Sequence, residues 1–164
     1  MTGTDSRELA RLLVTTLTGR GQTVAVAESL TGGLLAAALV EIPGASAVFR
    51  GGIVAYATDL KATLLGVPQA LLARHGAVHP DVAAAMAQGV AARLDATFGL
   101  ATTGVAGPDP QDGQPVGTVH IAVSGNLGVT PRTCAFAGDR DSIRRQSVLA
   151  ALLLLKGRLE GPAA

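Results

Sequence analysis

Apolar positions along the chain change their period several times, and each change marks an element. Leu9, Leu12, Leu13 and Leu17 follow the i, i+3, i+4, i+8 spacing of one helix face, which ends near Gly19 and Gly21. Residues 23–27 are a continuous run of small apolar side chains, the pattern of a strand buried on both faces. A second helical run, from Leu34 to about Glu41, stops before Pro43-Gly44. Residues 47–56 read as a strand, but Gly51-Gly52 interrupts them and predicts a bulge, a bend or a break. Thr58 or Asp59 is placed to cap a short helix carrying Lys61, and Gly66-Val67-Pro68 makes a turn. Pro80 suits the first position of a further helix, with Val82, Ala85, Met86, Gly89, Val90 and Leu94 inward. Residues 97–102 form a short strand, and residues 103–115 a loop dense in Gly, Pro and Asp. Residues 116–124 and 129–137 read as two strands joined by Gly125-Asn126-Leu127-Gly128, a hairpin signal. Asp139 or Asp141 caps a last helix with Ile143, Val148, Leu152 and Leu155 inward.

This alternation of strands and helices predicts one α/β domain over residues 1–164: a three-layer α/β/α sandwich. The hairpin forces an antiparallel pair, so the sheet should be mixed, though mostly parallel. Composition adds that the core is built of Ala, Val and Leu, because 48% of residues are apolar but only 2% aromatic. With 13 basic and 12 acidic residues, net charge +1, there is no footprint for nucleic acid and no polybasic membrane patch. A single cysteine, Cys134, excludes an intrachain disulfide and fits a reducing compartment. No signal-peptide core or bilayer-spanning stretch is visible, so a cytoplasmic protein is expected. The low charged fraction, 15%, and the small residues between Val82 and Leu94 suggest a homo-oligomer.

Candidate chemistry gathers where predicted strands end. Ala27-Glu28-Ser29-Leu30-Thr31-Gly32-Gly33 lies between the first strand and the second helix, the edge where open α/β sheets bind ligands. A helix N-terminus there favours an anion or oxyanion, and the glycines allow close approach. Ser29 is a candidate nucleophile, but on the motif alone Ser29 or Thr31 reads first as a plain helix cap. A nucleophilic serine needs a base. None of His75, His79 and His120 is placed by sequence beside it. Lys61 is the better candidate, because burial can lower an amine's pKa until it accepts a proton; the alternative is a surface lysine. Tyr56, the only tyrosine, could relay a proton or orient Lys61, or simply be half-buried. The loop Thr103-Gly104-Val105-Ala106-Gly107 can offer backbone N–H groups to an oxyanion or phosphate. Arg140 and Arg144, at i and i+4, can grip a phosphate or carboxylate together, or stand on a solvated helix surface. No metal-ligand spacing, dinucleotide fingerprint or P-loop is present.

Taken in order, the Ser29 motif, Gly51-Gly52-Ile53-Val54-Ala55-Tyr56 with Lys61, Thr103 to Pro108, Pro115-Val116-Gly117-Thr118-Val119, and Gly138-Asp139-Arg140 with Arg144 resemble the CinA C-terminal domain family. That family includes stand-alone nicotinamide-nucleotide amidohydrolases. The resemblance implies a three-layer fold and deamidation of nicotinamide mononucleotide (NMN) in pyridine-nucleotide salvage, without cofactor or metal. It implies Ser29 as nucleophile, Lys61 as base and Tyr56 assisting. Thr31, Gly32, Gly33, Thr103, Gly104, Arg140 and Arg144 would meet substrate. The competing reading is a catalytically inactive nucleotide-binding or interaction domain linked to competence or DNA damage. His79 stands at an N-cap position where the family more often has Ser.

Overall fold

The small apolar run after the first helix becomes the middle of a five-stranded sheet. The computed structural model describes residues 5–161. Strand β1 (Val24–Glu28) is buried at every position and lies between β2 (Phe49–Val54) and β3 (Phe98–Gly104), parallel to both. β4 (Thr118–Gly125) runs antiparallel to β3, and β5 (Gly128–Ala135) antiparallel to β4. The order is β2-β1-β3-β4-β5. Four strands therefore run one way and only β4 runs back, which is the mixed, mostly parallel sheet expected.

Helices cover both faces. α1 (Ser6–Arg20), α2 (Leu34–Val40) and α6 (Arg140–Glu160) pack together on one side; α3 (Thr58–Leu65), α4 (Gln69–His75) and α5 (Pro80–Arg93) lie on the other. β1 serves both, with Val24 and Val26 facing the first set and Ala25 and Ala27 the second. On the α5 side the contacts are built from Ala and Gly. A Cβ at Gly99 would lie 1.9 Å from the Ala87 carbonyl oxygen, and one at Gly89 would lie 1.8 Å from that of Leu65. α5 thus sits against the sheet and against the end of α3 with no room for another methyl group. Val82, Ala83, Met86, Ala87 and Val90 are buried by the chain's own sheet and helices, while Gln88, Ala92 and Arg93 on the same helix are exposed.

Local differences from the sequence reading have local causes. β2 runs unbroken through Gly51-Gly52; the irregularity falls at Arg50, where pairing steps from Val24↔Phe49 to Ala25↔Gly51. α3 starts at Thr58 with Ala57 in the cap position, so neither Thr58 nor Asp59 caps it. Leu12 is 46% exposed, and Ala10 and Val14 complete the α1 face instead. His79 does cap α5, its Nδ1 accepting from the Asp81 N–H at 3.2 Å, and Asp139 caps α6. α2 connects β1 to β2 over one face of the sheet, and α3–α5 connect β2 to β3 over the other. The C-terminal ends of these three strands therefore open a crevice at one edge, the position ligands take in doubly wound sheets.

Candidate active site

Ser29 follows β1 directly and is held by its backbone. Its N–H donates to the Thr102 carbonyl at 3.0 Å, and its own carbonyl accepts from Gly32 N–H at 3.0 Å, closing a tight turn. The expected cap of α2 by Ser29 or Thr31 is not what forms. Glu28, 1% exposed, reaches forward instead, accepting from Leu35 N–H at 2.8 Å and Ala36 N–H at 3.0 Å. Its carboxylate occupies the positive end of α2, which is consequently closed to a substrate anion. The Thr31 hydroxyl is fully buried against the Thr102 hydroxyl at 2.7 Å. Thr31, Gly32 and Gly33 shape the turn and are not among the residues that line the cavity beside Ser29.

Lys61 reaches Ser29 from α3. Its Nζ lies 3.0 Å from Ser29 Oγ, 2.8 Å from the Ala55 carbonyl oxygen and 3.4 Å from the Tyr56 carbonyl oxygen. The residue is 1% exposed, and burial pulls the ammonium down from 10.5 to about 8, against the attraction of the Asp112 carboxylate. The ammonium donates one N–H to each of these three oxygens; in the neutral amine the two hydrogens can go to the two carbonyls, leaving the lone pair to accept the Ser29 hydroxyl proton. Among the described residues no carboxylate pairs directly with Lys61.

In front of Ser29 lies a cavity of about 330 Å³. Its walls come from Ser29-Leu30, Tyr56 to Thr58, Ala77-Val78, the end of β3 with the loop to Gly107, Asp109 and Gln111, and Arg140. No histidine lines it. Thr103 and Gly104 lie on the wall as expected, with the Thr103 hydroxyl donating to the Ala77 carbonyl at 2.7 Å. With the α2 amides occupied by Glu28, the open donors are elsewhere. Among the described residues, the cavity-lining residues Leu30, Tyr56, Ala57, Val78, Ala106 and Gly107 have N–H groups that make no hydrogen bond. Leu30, Ala77, Val78, Asp109 and Gln111 were not visible as site residues in the sequence. Leu30 was the most accessible of them, since the amide following a nucleophile is a common oxyanion donor.

Tyr56 and the two arginines are distributed differently from the sequence reading. Tyr56 touches Lys61 only with its backbone carbonyl. Its phenol is exposed at the cavity rim, where it accepts from Arg140 Nη2 at 3.0 Å. Arg140 also donates from Nη1 to the Gly107 carbonyl at 2.6 Å, bridging two walls of the cavity. Arg144 does not join it in a two-pronged grip. Arg144 Nε donates to the Leu30 carbonyl at 2.9 Å and its Nη2 to the Thr31 carbonyl at 3.2 Å, and the residue is not on the cavity wall. It braces the Ser29 turn from behind.

The fold is a three-layer α/β/α sandwich with a mixed sheet, and a buried Ser29–Lys61 contact lies at the ends of its parallel strands. Comparison with known proteins gives the family. The model of the CinA C-terminal domain matches residues 6–159, and the chain belongs to that family. A CinA-like protein of Frankia casuarinae is 57% identical over 145 residues, covering 88% of this chain but 34% of its own length. A putative competence-damage inducible protein of Desulforamulus reducens is 47% identical over 157 residues, covering 96% and 38%. The chain thus spans about a third of the length of these curated relatives. Among solved structures, the competence/damage inducible protein CihA of Agrobacterium tumefaciens superposes with a TM-score of 0.91 at 41% identity, covering 96% of this chain and 97% of its own. A CinA superfamily protein of Escherichia coli gives 0.89 at 34% identity, covering 93% and 89%.

Proposed function

We propose that this chain hydrolyses the carboxamide of NMN to nicotinate mononucleotide and ammonia, in pyridine-nucleotide salvage. The observation that carries this reading is the 3.0 Å approach of Lys61 Nζ to Ser29 Oγ, at a site buried enough to bring the amine to about 8. A lysine in that range is a workable base near neutral pH, and it can also return the proton.

The reaction assigns each group a step. Ser29 Oγ bonds to the amide carbon while its proton passes to Lys61 Nζ. The carbonyl oxygen becomes an oxyanion, which takes its hydrogen bonds from the unpaired amides of the cavity wall, that of Leu30 next to the nucleophile first among them. The C–N bond then breaks, Lys61 gives its proton to the leaving nitrogen, and ammonia departs from a Ser29 ester. Water attacks that ester with Lys61 again as base, releasing the carboxylate and restoring Ser29. Arg140 at the mouth is the charge available to the nucleotide phosphate. Tyr56 helps by presenting its carbonyl to Lys61 and its phenol to Arg140.

The test is ammonia release with NMN alone as substrate, with calorimetric binding measured on the same preparation. Turnover with nicotinate mononucleotide as co-product supports the amidase. Binding without ammonia would instead favour a nucleotide-binding domain of the competence or damage response.

A further inference from the structure

We propose that Asp112 is a positioning residue for the Ser29–Lys61 centre, latching the loop between β3 and β4 onto the opposite wall of the cavity and placing a fixed negative charge near Lys61. The inference rests on the amidase reading only for its consequence in turnover.

The loop has its own small hairpin. Gln111 and Gln114 exchange backbone hydrogen bonds at 3.1 and 2.8 Å, and Asp112 and Gly113, with φ of 51° and 74°, form the two-residue turn between them. Asp-Gly is a favoured pair for such a turn, because both residues tolerate the left-handed region. The tip does not project into solvent. It lies on Gly76-Ala77, the link between α4 and α5, where Asp112 Oδ2 accepts from Ala77 N–H at 2.9 Å. Gly76 makes room for it: a Cβ there would lie 2.6 Å from the Asp112 carboxyl carbon. On the other side of the same residue, the Ala77 carbonyl accepts from the Thr103 hydroxyl at 2.7 Å. Asp112, Ala77 and Thr103 form a strap across three segments. Ala77, Thr103 and Gln111 line the cavity, whereas Asp112 does not. It can therefore act on the reaction only through its neighbours.

Its charge has a chemical use. Burial alone drives Lys61 toward the neutral form, and the Asp112 carboxylate opposes that drive. A lysine lowered without limit would be too weak a base to take the Ser29 proton. Other ionisable groups stand on the surrounding elements: Glu28 at the end of β1, Tyr56 and Asp59 before and on α3, His75 on α4, His79, Asp81 and Arg93 at the cap and along α5, Asp109 on the loop and Arg140 on α6. Of these and Asp112, Asp112 alone exerts a resolved pull on Lys61.

The chain contains two lysines, Lys61 and Lys156. Lysine labelled with ¹³C at Cε therefore gives two methylene signals. Lys156, paired with Glu160 on α6, serves as the internal reference. In Asp112→Asn an amide oxygen still accepts from Ala77 N–H, but the charge is gone. The Lys61 midpoint should move below about 8 while that of Lys156 stays, and the acid limb of kcat/KM should move with it. Gly76→Ala displaces the carboxylate from the other side of the strap. It should move the Lys61 midpoint in the same direction and raise KM. An unmoved Lys61 midpoint in Asp112→Asn, with melting temperature and the Ala77 amide shift retained, overturns the proposal, as does an unmoved midpoint in a folded Gly76→Ala whose shifted Ala77 amide shows that the carboxylate has moved. The titration needs no substrate, so it tests Asp112 even if NMN is not turned over. An unmoved midpoint with intact ammonia release would overturn Asp112 and leave the amidase standing.

Discussion

Lys61 is one of two lysines in a chain with eleven arginines, and its surroundings account for the choice. A guanidinium cannot give up its proton near neutral pH, whereas an amine desolvated to about 8 can. Activity should rise with pH along a limb centred near 8. In Lys61→Arg and Lys61→Ala, kcat should fall by about 10²–10⁴-fold, while substrate binding measured by calorimetry largely survives. Stability carries the same signature. Between about 8 and 10.5 the unfolded chain holds a proton that the folded chain has released, so stability rises with pH across that window. Below it the folded chain carries the whole cost of a buried ammonium, of the order of 3 kcal/mol before the lost hydrogen bonds are counted. Lys61→Met should therefore resist urea better than wild type at pH 7, with the advantage shrinking by pH 10. A constant difference across that range would mean that Lys61 titrates normally. The arginines should separate in the same assays. Arg140→Ala should raise KM roughly ten- to a hundredfold, the loss of one charge-assisted contact. Arg144→Ala should lower kcat and melting temperature with little change in KM, because it braces the Leu30 and Thr31 carbonyls.

At the scale of elements, most of the fold was legible because its signals are local. The period of three to four in α1 and α6, the apolar run of β1, Pro80 at the start of α5 and the Gly-bounded hairpin each stand in a few neighbouring residues. α4 is not legible, since it has only seven residues and packs only Leu71 and Leu72, both half-buried, against the core. The α2 cap was missed because Glu28 serves it from seven residues before Leu35, beyond the usual N-cap spacing. In the site, Ser29 and Lys61 stand out by residue type and strand ends, but they also read as a plain cap and a surface lysine, and the family resemblance is what joins them. The division of labour between Arg140 and Arg144 is not legible, because it depends on carbonyls 33 and more than 100 residues away. The Ala- and Gly-rich composition has its reason at this scale too: α5 lies too close to the sheet for anything larger. Gly99→Ala should cost about 1–3 kcal/mol or more in urea unfolding, although alanine ordinarily suits a strand better. A variant as stable as wild type would mean that α5 can shift outward freely.

At the scale of the molecule, three strand ends bring together groups far apart in sequence. β1 delivers Ser29, the end of β2 supplies the carbonyls that hold Lys61, and β3 delivers Thr103 and Gly104. The loop after β3 and the start of α6 close the cavity above them. This domain is about a third of its longer relatives, yet it contains every group that the proposed reaction uses. The central claim is that Ser29 is the nucleophile of an amide hydrolysis, and ammonia release from NMN by Ser29→Ala, set against wild type, tests it most directly. Removing one buried hydroxyl should leave the fold and substrate binding in place and reduce release to the background of an enzyme-free control. A Ser29→Ala protein that still released ammonia at a rate near wild type would contradict the account, whatever the other residues did.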